Sequence, residues 1–470
     1  MSYNSIQEAD LAYFRSLPDL HVLTDREHLE RCASDETEDL AYLPELVLQP
    51  ATTGAVSAIL RHCQERRIPV TPRGAGTGLS GGALPVYGGV VLDMKRFNRI
   101  LHVDESNFQV TVEPGVITKE LQDHVQSRGL FYPPDPSSHG SCFIGGNVME
   151  NSGGPRAVKY GVVNDYVLNL ELVLPSGEVI WTGANVLKNA TGYNLTQLLV
   201  GSEGTLGVVT KIVLRLIPAV RERLLMLVPF RSAEEACRAV NAIFRAGYTP
   251  SALEFMERDA IEWAMRYVET SAIPLPEDIQ AHLLIETDGN NRDQLYADME
   301  AISNLLQQYD IGEILFADTH AQQELLWILR RRVGEAVKSH SIYKEEDTVV
   351  PRAELPALLH AVKRIGAAYG FRSVCYGHAG DGNLHVNIIR GELSEADWNG
   401  RLPQAIRELF REVAALGGTI SGEHGIGLVQ KNYLDIVFSE TQLRLMKNIK
   451  QIFDPHGILN PGKIFPDNDN

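Results

Sequence analysis

The sequence predicts an α+β protein of more than one domain, and three observations carry that reading. At 470 residues the chain exceeds what one ordinary core takes in, so two or three domains are expected. Its Gly-rich loops sit between apolar, strand-like runs instead of opening long helices. Beyond Pro218, strand-like runs alternate with helix-like ones, as in a second domain with its own sheet.

Taken in order, residues 1 to about 45 read as helical and acidic, and Pro44 and Pro50 mark turns. A helix from Thr53 to Arg67 follows, with Val56, Ile59 and Leu60 on one face, and IPVTPRG reads as a short buried strand. The loop PRGAGTGLSGGAL then places five glycines in the nine positions Gly74 to Gly82. Such a loop permits positive φ and brings backbone N–H groups close to a phosphate. A doubly wound dinucleotide fold would continue into an apolar helix with an acid some 20 residues on. GGVVLDMKRFNRI instead reads as a strand and turn, so that fold is rejected and the loop is expected to join strands. A second Gly/Asn/Ser run, Tyr132 to Gly161, reads as about 30 structureless residues, the length of a functional loop. Within it, Ile144-Gly-Gly-Asn147 could open a short helix whose amides meet a phosphate. A third segment, Leu187 to Thr210, suggests a helix through Leu195, Leu198 and Leu199 that Gly201 ends, then a strand from Leu206. Three such loops around strands would wrap a long, phosphate-bearing ligand. Later, LLWILRRRVGEAVKS reads as one long helix carrying Arg330, Arg331 and Arg332.

The formal charge of −17 argues against nucleic acid and against an anionic membrane surface, and it leaves an anionic substrate in need of a local cation. Five cysteines with no metal-ligand spacing fit a reducing compartment. No signal peptide and no run approaching the ~20 apolar residues of a membrane span is visible, so a cytoplasmic protein is expected.

YGHAGDGNLHVNII, Tyr376 to Ile389, reads as two strands joined by the loop AGDGN. Closed across that loop, a hairpin would set His378 opposite His385 and Tyr376 opposite Asn387, with opposed Cβ atoms roughly 5 Å apart. Glu423, beside His424 in SGEHGIG, is a third candidate ligand. Two His and one carboxylate leave coordination positions open, as in a catalytic metal centre.

At Gly74–Gly82, Gly145–Gly161 and Gly192–Gly207 the chain resembles the flavoproteins of vanillyl-alcohol oxidase type. The closing DPHGILNPGKIF, with the His378 and Glu423 motifs, narrows the resemblance. It points to the branch of FAD-dependent D-lactate dehydrogenase, the glycolate oxidase FAD subunit and D-2-hydroxyglutarate dehydrogenase, over about Asp35 to Phe465. The resemblance implies a two-subdomain FAD-binding domain over 1–220, an α+β substrate (cap) domain over 221–415 that carries the hairpin, and a segment 416–470 returning to the FAD domain. It implies that Arg73, Gly74, Ala75, Gly76, Thr77 and Gly78 cradle the pyrophosphate. Pro134, Asp135, Ser138, Gly145, Gly146, Asn147, Ser152, Gly153 and Gly154 would line the flavin and ribityl chain, with Gly207, Val208 and Asn460 also at the cofactor. The first loop offers no histidine to tether the flavin, and His139 is the only nearby alternative, so non-covalent FAD is expected. A divalent ion, Zn²⁺ before Mn²⁺ or Fe²⁺, would sit on His378, His385 and Glu423. Arg330 and Lys344 would face the substrate carboxylate beside Asn387, and His424 would be the base. Gly334 stands where 2-hydroxyglutarate-specific relatives tend to carry a hydroxyl residue. The implied activity is oxidation of a D-2-hydroxy acid, with electrons passing to a quinone, a cytochrome or an electron-transfer flavoprotein. The alternatives are the FAD subunit of a larger electron-transfer complex and a non-redox flavoenzyme of the same fold. Whether the chain forms a homodimer or joins a complex stays open.

Overall fold

The computed structural model describes residues 2–37, 39–271 and 273–466, and the chain divides into two compact units. Unit 1 comprises Met1–Gly153, Val162–Ala219 and Glu423–Asn470, and unit 2 comprises Gly154–Gly161 and Val220–Gly422. The short excursion Gly154–Gly161 carried no sequence signal of its own.

Unit 1 opens with β1 (Leu20–Leu23), β2 (Leu46–Pro50), β3 (Val70–Arg73) and β4 (Val90–Asp93), in the sheet order β1-β2-β4-β3. β2 and β3 run parallel to β4, whereas β1 is antiparallel to β2. The presence of β1 corrects the expectation of an all-helical start; helices Glu8–Ser16 and Arg26–Arg31 flank it. LHVL is too short to declare itself by periodicity, and its pairing with β2 decides its state. The helix Thr53–Arg66 begins where Thr52 accepts a hydrogen bond from the Ala55 amide and ends at Arg67, with φ of 52°. It buries Val56, Ile59 and Leu60 against Leu46, Leu48, Val70 and Val90. Each such side chain contributes roughly 1.5–3 kcal/mol. The first Gly-rich loop does join two strands, β3 and β4.

The second sheet of unit 1 is built from β5 (Ile100–Asp104), β6 (Gln109–Val112), β8 (Val167–Val173), β9 (Val179–Trp181) and β10 (Val208–Arg215), in the order β5-β6-β10-β8-β9. A two-residue β7 (Leu130–Phe131) pairs with β11 (Ile217–Pro218). The segment from Tyr132 to Gly161 is not structureless: it holds helices Ile144–Glu150 and Ala157–Tyr160. The first begins at the Gly-Gly-Asn run, where the Ile144 and Gly145 amides bond to Val116 and Pro114 carbonyls.

Unit 2 is organised by one sheet of β12 (Glu222–Phe230), β13 (Ala252–Glu257), β14 (Ala281–Gly289), β15 (Leu315–Ala317), β16 (Tyr343–Val349), β17 (Arg372–Gly377) and β18 (Asn383–Ile389). Its order is β15-β12-β14-β13-β17-β18-β16. Helices Arg258–Tyr267, His320–Arg331 and Val333–His340 cover one face, where Trp263, Trp327, Val333 and Val337 meet Met256, Val374 and Tyr376. The expected long helix through the arginine run is in fact two. It breaks at Arg332 (φ −90°, ψ 2°), so that Leu329 and Arg330 on one side and Val333 and Val337 on the other are all buried. The helix Leu355–Tyr369 lies on the opposite face, where Lys363 bonds to Glu257 and Ser373.

Candidate functional site

In unit 2 the chemistry gathers where β17 and β18 meet. The register differs from the expected one: Tyr376 lies opposite His385 and Val374 opposite Asn387. β17 stops at Gly377, and His378 leaves the ladder to begin the turn. The His378 carbonyl accepts hydrogen bonds from the Asp381 and Asn383 amides, and Gly382 adopts φ of +86°. A slip of two residues keeps every side chain on its face. His378 and His385 therefore still meet, with ring centroids 5.4 Å apart and a ring nitrogen of each within 4.8 Å of the other.

Each imidazole is oriented by an acid. His378 Nδ1 lies 2.8 and 3.0 Å from the two Glu254 oxygens. His385 Nδ1 is 3.2 Å from Glu345 and 3.8 Å from Asp347. Carboxylates in these positions fix the tautomer of a metal-binding histidine and leave its other nitrogen to ligate. Glu254 is fully buried on β13 and also stands 2.7 Å from Arg330 Nη2. Burial opposes its ionised form, yet His378 and Arg330 together hold its carboxyl below the ordinary glutamate value. Arg330 lies in the last turn of the helix His320–Arg331, is 3% exposed, and places its guanidinium 5.1 Å from the Tyr376 ring centroid. Its Nε finds no hydrogen-bond acceptor among the described residues. The Asn387 amide is also fully buried, beside the Tyr376 hydroxyl. Burial and Glu345 push the Tyr376 hydroxyl well above the usual tyrosine value, against the influence of Arg330 and Asn387.

Lys344 does not join this group. In the β16–β18 ladder, Asp347 stands opposite His385 and Glu345 opposite Asn387, whereas Lys344 stands opposite Ile388. Directly opposed residues share a face. Lys344 therefore lies on the other side of the sheet from the histidines, and Glu345 takes the place expected of it. Asp347 also accepts hydrogen bonds from Asn383 Nδ2 (2.6 Å), the Ser421 hydroxyl (3.2 Å) and the Gly422 amide (2.8 Å). It thereby holds the chain one residue short of Glu423.

In unit 1, the turn that begins with Glu423 and His424 is held from its far end. The buried carboxylate of Glu203 accepts from the Ile426 and Gly427 amides at 2.8 and 2.6 Å. A Cβ on Gly153 would stand 3.0 Å from Glu423 Oε2, and one on Gly425 would fall 2.3 Å from Glu150 Oε2. Burial and the neighbouring Glu203 and Asp35 push the Glu150 carboxyl well above the usual range. The expected cofactor residues cluster in the same unit. Gly74 lies against Gly146, with a virtual Cβ 3.8 Å from that backbone, so the first and second Gly-rich segments abut. Ala75, Thr77 and Gly78 continue the half-buried loop, and Gly76 has φ of +77° with the Arg73 guanidinium folded over it. Arg73 Nη1 is buried without an acceptor among the described residues. Asn147 Nδ2 donates to Thr118 at 2.6 Å, and a Cβ on Gly145 would overlap Pro114. Pro134 and Asp135 are buried, and the Ser138 carbonyl caps Ser141 and Cys142. Ser152 turns back to the Asn147 carbonyl, and Gly154 is the first residue of the excursion into unit 2. Gly207 has no room for a Cβ beside Leu172, and Val208 starts β10. Asn460, with φ of +44°, donates to the Gly82 and Glu203 carbonyls at 3.0 and 2.8 Å. Glycines with no room for a side chain, beside a buried guanidinium nitrogen with no acceptor among the described residues, fit the cradle of a diphosphate.

Sequence reading passed over Glu254, Glu345, Asp347 and Glu203. For Glu254 the usable signal was an acid at an inward position of an apolar strand, SALEFME.

Comparison with known proteins matches two family models to the chain. Residues 44–183 match the family described as FAD binding domain, and residues 219–464 match FAD linked oxidases, C-terminal domain. The glycolate oxidase subunit GlcD of Bacillus subtilis is 41% identical over 92% of this chain and 91% of its own length. A D-lactate dehydrogenase of Anaerostipes hadrus is 36% identical over 98% of both chains. A D-2-hydroxyglutarate dehydrogenase of Xanthomonas citri pv. viticola is 34% identical over 98% of this chain and 97% of its own. Among solved structures, p-cresol methylhydroxylase with substrate bound superposes with a TM-score of 0.79 at 18% identity, covering 98% of this chain and 97% of that one.

Proposed function

This chain belongs to the FAD-linked oxidase family, an oxidoreductase with an FAD-binding domain, and from that premise we propose that it oxidises a D-2-hydroxy acid to the 2-oxo acid. Relatives named for lactate, glycolate and 2-hydroxyglutarate chemistry support the reaction class. The observation that carries the reading is a pair of buried imidazoles, each beside a carboxylate, next to a buried guanidinium with an unanswered N–H. Flavin, when bound by the glycine loops of unit 1, supplies a two-electron hydride acceptor. A divalent ion on His378, His385 and Glu423 would supply Lewis acidity toward the substrate hydroxyl.

The remaining work falls to the chain's own side chains. Arg330 Nε offers a donor to the substrate carboxylate, supplying the positive charge that the acidic surface lacks. The Asn387 amide, buried beside the Tyr376 hydroxyl, would fix the substrate's orientation. His424 would take the hydroxyl proton, a task for which an imidazole nitrogen is suited. Glu254 and Glu345 keep the two imidazoles oriented, and Asp347 and Glu203 hold the two ends of the turn that carries Glu423 and His424.

An anaerobic titration with D- and L-2-hydroxy acids, followed by flavin absorbance, tests the reading. Bleaching by a D-acid that a chelator abolishes is the expected result. A yellow protein that no hydroxy acid bleaches would overturn the proposal and favour a subunit that needs its complex.

A further inference from the structure

We propose that Glu150 is a flavin-binding residue whose carboxyl group hydrogen-bonds the N3–H and an adjoining carbonyl of the bound isoalloxazine. The inference rests on the FAD-binding reading of unit 1 and adds to it a residue that the glycine pattern does not reveal. Glu150 ends the helix Ile144–Glu150, in the second Gly-rich segment. The other segments of the cradle converge on it. The point where a Gly82 Cβ would stand, in the first loop, is 3.1 Å from Glu150 Oε1. The corresponding Gly425 point, one residue past His424, is 2.3 Å from Glu150 Oε2 and 3.1 Å from Oε1 of Glu203, in the third segment. Asn460 ties the first and third segments together, since its amide donates to the Gly82 and Glu203 carbonyls. Side chains at Gly82 and Gly425 would crowd this one carboxyl group, and their absence leaves it room.

Glu150 Oε2 is buried with no hydrogen-bond partner among the described residues. Native structures leave few such atoms, and a bound cofactor accounts for this one. The side chain as a whole is only half-buried, so it borders space that solvent, and hence a ligand, can enter. Ser80 Oγ, on a residue 2% exposed, is likewise unanswered among the described residues and lies 3.9 Å from the Gly82 point. Glu203 is already engaged, because its two oxygens take the Ile426 and Gly427 amides. Two buried carboxyl groups this close do not both ionise. Burial, Glu203 and Asp35 all favour the protonated form of Glu150, whereas Lys463 favours the ionised form of Glu203. A protonated carboxyl presents one O–H donor beside one acceptor oxygen. That is the complement of a lactam edge, in which C=O and N–H stand side by side; a carboxylate or an ammonium answers only half of it. The adenine ring of FAD also pairs a donor with an acceptor. Gly425, however, adjoins His424, the proposed base, and that base has to stand at the reacting ring.

The test measures dissociation constants of FAD and of 3-methyl-FAD, whose N3 carries no hydrogen, for the full chain stripped of its flavin. Flavin fluorescence reports binding to wild type, Glu150→Gln and Glu150→Leu, and circular dichroism checks that each is folded. Gln keeps a donor beside an acceptor, and Leu keeps only the bulk. Wild type is expected to bind FAD about tenfold or more tighter than 3-methyl-FAD. Glu150→Gln should hold that ratio within about threefold, whereas Glu150→Leu should weaken FAD about tenfold and bring the ratio close to one. A residue with a purely structural role, or one facing the adenine, would weaken both flavins alike; a ratio unmoved in Glu150→Leu therefore overturns the inference. A wild type that does not discriminate the two flavins overturns it without any variant, so the test survives a Glu150→Leu chain that fails to fold. A wild type that takes up no flavin overturns the FAD-binding reading itself, and this inference with it.

Discussion

Replacing Glu254 by Gln should both destabilise unit 2 and loosen its hold on a metal, and the two effects can be sized. Glu254 is fully buried, 2.7 Å from Arg330, which is itself 3% exposed. Gln keeps an oxygen that His378 Nδ1 can bond to, but it leaves the guanidinium buried without a counter-charge. Breaking a buried pair in this way costs about 3–5 kcal/mol. For a unit of this size each kcal/mol moves the melting midpoint by ~2–4 °C, so a fall of roughly 6–20 °C is expected. The neutral amide also orients His378 less firmly, and losing a carboxylate partner of this kind weakens metal affinity by about 10- to 100-fold. Circular dichroism melts in chelator isolate the first effect, and competition with a chromophoric chelator measures the second. The double variant Glu254→Gln/Arg330→Met removes both charges and should recover much of the lost midpoint. A midpoint for Glu254→Gln within about 2 °C of wild type, or a double variant no better than the single one, would falsify the ion-pair account.

Three further expectations follow from the same geometry. His424→Ala should lower turnover by about 10²–10⁴-fold with the flavin spectrum intact, and retained turnover removes it as the base. Lys463 is pushed by burial from 10.5 down to about 8, and its ammonium donates to the Leu84 carbonyl at 2.5 Å. Between those two values the unfolded chain holds the proton that the folded one has released, so stability contributed by this group rises with pH, by up to about 3 kcal/mol. Melts of wild type and Lys463→Met from pH 7.5 to 10 should therefore diverge in favour of wild type as pH rises, and parallel curves would refute the assignment. Gly382→Ala places a Cβ 2.0 Å from the Val350 carbonyl at φ of +86°, and no side-chain shift relieves a clash with backbone. It should cost about 2–5 kcal/mol in urea unfolding at unchanged m, and a neutral result would mean that the turn is drawn wrongly.

How much of this could be read from the chain depended on whether the signal was local. Gly74–Gly82 announced a strand connection because its glycines were dense and a strand-like run followed, and β3 and β4 bear that out. The helix at Ile144-Gly-Gly-Asn147 was legible for the same reason, whereas the helix Ala157–Tyr160 in the same run was not. The strand β1 was not legible, since four residues, none of them buried, have no periodicity to show and only pairing with β2 makes them a strand. The break at Arg332 was hidden as well, because the apolar spacing on both sides of it is helical.

The site divides along the same line, and β16 shows why. In SIYKEEDTVV the acids and the lysine are adjacent, so which of them faces the histidines depends on one residue of register. Period-two alternation separates Lys344 and Glu346 from Glu345 and Asp347 but cannot say which set turns inward, because both sets carry charge. Pairing with β18 settles it: Asn387 meets Glu345 and Ile388 meets Lys344. The hairpin was more forgiving. Its register was misjudged by two residues, and an even slip returns His378 and His385 to one face, whereas an odd slip would have separated them. The histidine pair could thus be read from the sequence despite the wrong register. The sign of the charge beside it could not, because only the pairing of β16 with β18 decides which charged set faces the histidines.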